Sequence, residues 1–294
     1  MFNRFFVSHL EGKGVLTSQQ ATDTLEAQRD AKIQIGTLAV EERLMTPEQA
    51  EIVNHQQATQ NARFGELAIS NGYLTQEQLD SLLAIQPRDH IILKQVLTEK
   101  KLSTADAFDA SLAALKEELN LNNVDYERLL DNNVDTFISK VAGIDGKTQP
   151  ILTVFTRMFI TTVIRLVDKE IMIDKAVRTP NVSAPYTISL PLKGDASNAL
   201  VFSAGGVYNA IEFAGKFAEG FMGMAIEATD EIARDALKEF MNCIGGLFTS
   251  ELTSKTHLKL DIEVPQFHEV FPADGEVLVM PFSLTSGGFK VFIS

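Results

Sequence analysis

The pattern of apolar and polar positions changes its period once between residues 230 and 265. The segment DEIARDALKEFMNCIGGLFTSEL has a helical period, and after a short turn the segment HLKLDIEV alternates as a strand does. On a helical wheel one broad side is apolar and comprises Ala236, Phe240, Ile244, Leu247 and Phe248. The pattern therefore predicts a helix whose apolar side packs on a sheet, followed directly by a strand.

A polar stripe lies on the opposite side of this predicted helix. It consists of Asp235, Glu239 and Asn242, at spacings of four and three residues. Asn is an unfavourable residue inside a helix, because its amide competes for backbone hydrogen bonds. The stripe is either a solvated face or a surface that a partner contacts, and the pattern alone leaves both interpretations open.

Residues 1–120 contain four similar units. The tetrapeptides GVLT at 14–17, RLMT at 43–46, GYLT at 72–75 and KKLS at 100–103 align with steps of 29, 29 and 28 residues. Each unit indicates a short helix, a turn, a Thr or Ser N-cap and a second amphipathic helix. One unit cannot bury its apolar stripe alone, so the four units are expected to stack into an all-helical repeat domain.

Residues 121–294 predict a different architecture. The polar, Asn-rich stretch 116–135 is either a linker or the start of a helix, and it is followed by an apolar helix over Ile151–Val167. A second helix is predicted over Val207–Phe221. Strands are predicted in MIDKAVR, YTISLPLKG, ALVFSAGG and HLKLDIEV, with GEVLVMPFSL and GGFKVFIS as a closing hairpin. The whole chain is thus expected to be α+β, with helical repeats followed by long helices packed on a sheet.

Composition and charge narrow the functional classes. The chain has a formal net charge of −13, which argues against nucleic acid and anionic membrane surfaces as partners. A single cysteine, Cys243, excludes an internal disulfide and is expected to be buried. The five histidines show no metal-binding spacing, so no metal site is expected. No apolar run is long enough for a membrane span, and the expected location is the cytoplasm.

The polar stripe belongs to a longer pattern, Asp235-x3-Glu239-x2-Asn242-x22-Pro265. This spacing resembles the signature of the CheC/CheX/FliY chemotaxis phosphatase family, and within that family it is most similar to CheX. The resemblance implies hydrolysis of the aspartyl phosphate of a CheY-like response regulator, with Glu239 paired to the regulator's Lys and Asn242 orienting the attacking water. Asp235 would take part in docking, and Pro265 is expected to end or bend the strand. Mg²⁺ is expected in the regulator, with no cofactor bound by this chain.

The third repeat carries a second resemblance. Arg63, Gly65, Gly72 and Gln86 fit a pattern that resembles the N-terminal domain of type II secretion and type IV pilus assembly ATPases. In part of that family, two such motifs bind cyclic di-GMP, with Arg suited to a phosphate or guanine. These four residues are accordingly candidates for nucleotide binding or, alternatively, for helix capping and repeat packing. The ATPase phosphate-binding loop is absent from the sequence.

Two further functions remain open beside the phosphatase. One is a non-enzymatic adaptor that binds a receiver, or a pilus or secretion component through the repeats, and the other is a cyclic di-GMP effector. The CheX resemblance also implies a homodimer formed through the sheet. The final strand GGFKVFIS is the candidate edge for that pairing.

Overall fold

A computed structural model describes residues 1–31, 33–59, 63–84, 88–285 and 287–294. Within these residues, eight helices form the repeat region. The chain divides into two compact units. The first consists of Phe2 and Phe6–Asn120, and the second of Met1, Asn3–Phe5 and Leu121–Ser294. The repeat helices are α1 Phe2–Gly12, α2 Ser18–Asp30, α3 Ile35–Glu41, α4 Pro47–Thr59, α5 Phe64–Ser70, α6 Gln76–Ala84, α7 Asp89–Glu99 and α8 Ala105–Glu118.

The repeats share a turn with a left-handed residue. Gly14, Arg43, Gly72 and Lys101 all have φ between 56° and 72°, the conformation that ends a helix at this position. Three residues after each, a Thr hydroxyl accepts a hydrogen bond from the backbone N–H that starts the next helix. These Thr residues are Thr17, Thr46, Thr75 and Thr104.

The fourth unit corrects the predicted alignment by one residue. Ser103 was expected to be the N-cap, but the Thr104 side chain accepts from the Ala107 N–H at 3.2 Å. The left-handed residue is likewise Lys101 and not Lys100. Two neighbouring hydroxyl residues made the choice ambiguous in the sequence, and the structure gives steps of 29 residues throughout.

The Asn-rich stretch is helical. It contains α9 Asn123–Leu130, α10 Val134–Thr136 and a π-helical turn at Phe137–Val141. Asn122 and Asn133 cap these helices through their side chains, while Asn120 and Asn132 have φ of 50° and 58°. Asn is suited to both positions, because its amide accepts from a helix N-terminus and tolerates the left-handed region.

Three long helices and six strands complete the second unit. The helices are α11 Pro150–Leu166, α12 Val207–Met222 and α13 Asp230–Lys255, and the strands are β1 Met172–Ile173, β2 Val177–Gly194, β3 Ala199–Ser203, β4 Leu260–Ile262, β5 Gln266–Leu284 and β6 Gly287–Ile293. The strand order is β1-β5-β6-β3-β2-β4, and β2 also pairs with β5. All pairs are antiparallel. The expected α+β architecture is confirmed.

Two strands differ in length from the prediction. β2 begins at Val177 and runs through Pro180 and Pro185, where a break was expected. The register shifts between Pro180 and Val182, and Asn181 has φ of 51°, so an irregular site accommodates the proline. β4 is shorter than HLKLDIEV, because only Leu260–Ile262 pair with β2.

β6 lies inside the sheet and is not an edge. It pairs with β5 on one side and with β3 on the other. The expectation that GGFKVFIS offers a free edge for dimerisation is therefore wrong. The closing hairpin itself is confirmed, with Leu284 opposite Gly287.

Aromatic side chains hold the helices on the sheet. The Phe159 ring of α11 contacts Phe202 of β3, Phe240 of α13 and Phe282 of β5, with ring centroids 4.7–5.4 Å apart. All four rings are buried. Edge-on packing of this kind limits rotation of α13 about its axis. Among the described residues no helix has the length and apolarity of a membrane-crossing segment.

Candidate functional site

The site is built on α13. Its N-terminus is capped by Thr229, whose hydroxyl accepts from the Ile232 N–H at 3.4 Å, and Asp230 and Glu231 in the first turn complement the helix dipole. The helix has 26 residues and begins at the predicted position. A long helix that packs on a sheet is a rigid support for side chains that project from its outer face.

The three residues of the polar stripe are exposed on that outer face. Asp235 forms an ion pair with Lys238 at 3.3 Å, and its side chain is 74% exposed. The Glu239 carboxylate is next to a weak donor, the Cys243 thiol, with Sγ 3.9 Å from Oε1. In the described part of the chain Glu239 forms no salt bridge, so its charge is available to a partner.

The apolar side of α13 is rotated relative to the prediction. Phe240, Ile244 and Phe248 are buried as expected, but Ala236 is half-buried and Leu247 is exposed. The buried face is completed by Ala233, Leu237, Met241, Gly245 and Leu252. The helix is covered from several sides by α11, α12 and the sheet, so its buried sector is wider and differently centred than a single apolar stripe indicates.

Cys243 is half-buried and not buried as expected. Burial raises the pKa of its thiol, and the neighbouring Glu239 carboxylate raises it further. The thiol is therefore the favoured form beside the exposed carboxylate.

An open groove of about 620 Å³ adjoins Asn242. Its lining is completed by Lys193, Asp261, Ile262, Glu263, Val264 and Gln266. Pro265 is buried in the corner between β4, which already ends at Ile262, and β5, which begins at Gln266. The long gap in the sequence pattern thus corresponds to the chain leaving α13, making one short strand and returning beside Asn242.

Of the charged side chains that line the groove, two form an ion pair with each other and a third forms none within the described residues. Lys193 forms an ion pair with Glu263, and this pairing raises the pKa of Lys193. Asp261 accepts a hydrogen bond from the Ile262 N–H at 2.9 Å and forms no salt bridge within the described residues. The groove therefore has a net negative charge close to an uncharged amide.

Two adjacent glycines follow Asn242 on α13, and they differ in their surroundings. A Cβ on Gly245 would lie 2.7 Å from the Ile262 and Leu190 methyl groups, whereas one on Gly246 would meet nothing within 4 Å. Gly245 therefore allows α13 to pack closely against the sheet. Its missing side chain brings α13 close to β4 and thus Asn242 close to the groove.

A charged cluster fixes the first turns of α13 and had no signal in the sequence. The Arg234 guanidinium pairs with Asp230 and with Glu269 of β5, both at 2.8 Å. It also lies 4.5 Å from the centroid of the Phe267 ring and 5.7 Å from that of Tyr186. Arg234 thus joins α13 to β2 and β5 one turn before Glu239.

Tyr186 completes this cluster by donating a hydrogen bond to the Asp230 carboxylate. Burial and the adjacent Asp230 raise the pKa of Tyr186 to about 12, while the Tyr186 hydroxyl and Arg234 lower the pKa of Asp230. The neutral phenol and the ionised carboxylate are therefore the stable pair at physiological pH.

The two glycines among the nucleotide-binding candidates of the third repeat have structural explanations. A Cβ on Gly65 would lie 2.6 Å from a Leu79 methyl group, so this glycine permits close helix packing. Gly72 has φ of 71° and ends α5. Arg63 is the exposed N-cap residue of α5, and Gln86 lies outside the described residues. Nucleotide binding by this set stays a prediction.

His268 takes a structural position in the second unit. His268 and Ser189 are hydrogen-bonded, with Nε2 and Oγ 2.7 Å apart. Burial lowers the pKa of His268. Across residues 1–294, apart from the gaps given above, no group of three or more His, Cys, Asp or Glu side chains is arranged to hold a metal ion.

Comparison with known families bears on this part of the chain. The family described as chemotaxis phosphatase CheX matches residues 186–274. This segment contains α12, α13 and the groove. Residues 186–274 match a CheX domain. All four residues of the long-gap pattern lie inside the CheX match. No curated relative matches the sequence.

Solved structures show similarity over about half of the chain. The chemotaxis protein CheX from Desulfovibrio desulfuricans is 14% identical, with 49% of this chain and 98% of that chain covered and a TM-score of 0.38. A CheC-like superfamily protein from Shewanella sp. PV-4 is 17% identical, with 49% and 95% covered and a TM-score of 0.41. The CheX–CheY–BeF3–Mg²⁺ complex from Borrelia burgdorferi gives 19% identity, coverage of 48% and 94%, and a TM-score of 0.37.

Proposed function

We propose that the second unit hydrolyses the aspartyl phosphate of a CheY-like response regulator. One observation carries the proposal: Glu239 and Asn242 are both exposed on one helix, within the segment that matches the CheX family, and Asn242 lines an open groove. The two residues do not form a hydrolase by themselves. They suit a reaction in which the regulator brings the phosphoryl group, the metal ion and a lysine.

The chemistry requires little beyond positioning. Water attacks phosphorus, the bond from phosphorus to the aspartyl oxygen breaks, and inorganic phosphate and a free aspartate are formed. The leaving group is a carboxylate, which is stable without a proton, so no general acid is required. Placement of the water in line with the breaking bond is then the main contribution that a partner can make.

Asn242 would supply that placement. Its amide oxygen can accept a hydrogen bond from the water while its NH₂ group donates to a neighbouring oxygen. The groove beside Asn242 gives room for the phosphorylated loop of the regulator. In this proposal Asn242 is the catalytic residue.

Glu239 would anchor the regulator. Its exposed carboxylate, free of salt bridges in the described chain, can pair with the regulator's lysine one turn away from Asn242. Asp235 would contribute to docking from the next turn, where its charge is shared with Lys238. The regulator would carry Mg²⁺, and this chain would bind no cofactor.

The decay of phosphorylated receiver domains tests the proposal. The wild-type chain is expected to accelerate decay, and Asn242→Ala is expected to lower the turnover number by about 10²- to 10³-fold, the effect of losing one preorganised group. Glu239→Gln keeps the shape of the side chain and is expected to raise the receiver concentration that gives half-maximal rate. The rate of phosphate release measured over a range of receiver concentrations separates the two effects.

Glu231→Ala is the matched control for this assay. Glu231 is an exposed carboxylate on the same helix and lies outside the groove lining, so its loss should leave the rate unchanged. If the wild-type chain accelerated the decay of no receiver, the phosphatase proposal would be wrong. Retained binding without turnover would then favour the adaptor.

Three expectations remain predictions beside this proposal. They are a homodimer, a pilus or secretion component as partner of the helical repeats, and binding of cyclic di-GMP by the third repeat. A location in the cytoplasm likewise stays a prediction.

A further inference from the structure

The corner between β4 and β5, residues 261–266, shares the groove with Asn242. We propose that this corner is a second contact surface for the response regulator and determines which regulator is accepted. The inference rests on the proposed function, since it takes the phosphorylated receiver as the occupant of the groove. Asp261 and Val264 are the residues that carry the specificity.

Val264 is an exposed apolar side chain on a fixed backbone. It is 79% exposed, the highest value among the large apolar residues of the described chain. The corner around it is held by pairing of Lys193 with Asp261 and of Ser189 with Gln266. A rigid apolar side chain of this kind loses little conformational entropy when a partner covers it, and its burial removes apolar surface from water.

Asp261 gives the corner its charge. Lys193 and Glu263 neutralise each other, whereas Asp261 and Glu239 form no salt bridge in the described chain. The groove thus has the Asn242 amide and the Asp261 carboxylate in its lining, and the Glu239 carboxylate is exposed one turn before Asn242 on α13. A receiver with a basic side chain beside an apolar one fits this surface, and a receiver with an acidic side chain there is repelled.

The corner acts on binding and not on the chemical step. Asp261 and Val264 have no part in orienting the water, which is the role given to Asn242. Their substitution should therefore change the dissociation constant and KM of a receiver while kcat stays near the wild-type value. Substitution of a residue that is needed only for the fold would instead lower the unfolding temperature.

Binding of receiver domains activated with beryllofluoride and Mg²⁺ tests this inference. We expect Val264→Asp and Asp261→Lys each to weaken binding by about tenfold or more, with the salt dependence reduced for Asp261→Lys. The matched controls are Val177→Asp, at an exposed position of β2, and Glu276→Lys, at an exposed position of β5. Both controls should bind as the wild-type chain does, and thermal unfolding of all four variants verifies their fold.

The outcomes separate this inference from the phosphatase proposal. If both corner variants bound like the wild-type chain, or if the wild-type chain bound no activated receiver, the corner inference would be overturned. Accelerated decay of a phosphorylated receiver would still support the phosphatase in the first of these cases. Conversely, weaker binding by the corner variants, without accelerated decay by the wild-type chain, would support the corner inference and contradict the phosphatase proposal.

Discussion

Gly245 and Gly246 show how one missing side chain can position a functional residue. They are consecutive on α13, yet only Gly245 faces the sheet closely. The sequence shows a Gly-Gly pair one turn after Asn242, and it predicts close packing without saying which glycine provides it. The difference depends on Ile262 and Leu190, whose positions follow from the strand pairing and not from α13 itself.

Alanine at these two positions should act in opposite directions. Gly246→Ala should stabilise the chain by about 0.5–1 kcal/mol, because Ala is the better helix former. Gly245→Ala should destabilise it by about 1 kcal/mol, since overpacking costs about 1–3 kcal/mol and helix propensity offsets part of that. Urea unfolding measures both changes. A Gly245→Ala variant as stable as Gly246→Ala would contradict the packing described for this helix.

His268 provides a pH dependence at the scale of one side chain. Burial lowers its pKa below 6.5, so the folded state favours the neutral ring that is hydrogen-bonded with Ser189. This stability is complete above the unfolded pKa and is lost as pH falls through the lower folded pKa. We expect the free energy of unfolding to decline between about pH 7 and pH 5, and to decline less in His268→Gln. Equal slopes for the two chains would show that His268 makes no contribution.

At the scale of elements, α13 is the part of the site that the sequence predicts best. Its start, its exposed polar stripe and several buried residues follow from the helical period. The cluster around Arg234 does not, because its partners lie on β2 and β5. The same holds for the repeats. The sequence predicts their turns, but the exact alignment of the fourth unit is known only from the hydrogen bond that Thr104 accepts in the structure.

The Arg234 cluster should position α13 as well as stabilise it. Arg234→Gln removes two ion pairs and the contact with the Phe267 ring, and should lower the free energy of unfolding. It should also lower kcat in the phosphatase assay, because α13, which carries Asn242, loses an attachment to the sheet. Arg178→Gln, which removes an exposed pair with Glu276, serves as control. Unchanged kcat and stability in Arg234→Gln would contradict a positioning role.

At the scale of the whole molecule, sequence patterns predict the α+β class but not the course of the sheet. The prolines of β2 indicate breaks, yet the strand continues through them with one irregularity. The last strand is the candidate edge in the sequence, yet it lies between β3 and β5. Both facts depend on pairing between distant segments. Arg4 is a further example, since its guanidinium donates to the backbone carbonyls of Glu170, Ser283 and Leu284.

The pairing of β2 with β5 has a consequence for synthesis of the chain. Val177 and Val279 are opposite each other, so at about 5–20 residues per second the start of β2 waits roughly 5–20 s on the ribosome for its partner. Pairing with β3 covers only residues 187–191 in the meantime. Pro180 and Pro185 lie in the waiting part and lack the N–H groups that a strand of another nascent chain would bind. The prolines that interrupt the strand pattern thus also protect the unfinished sheet from aggregation.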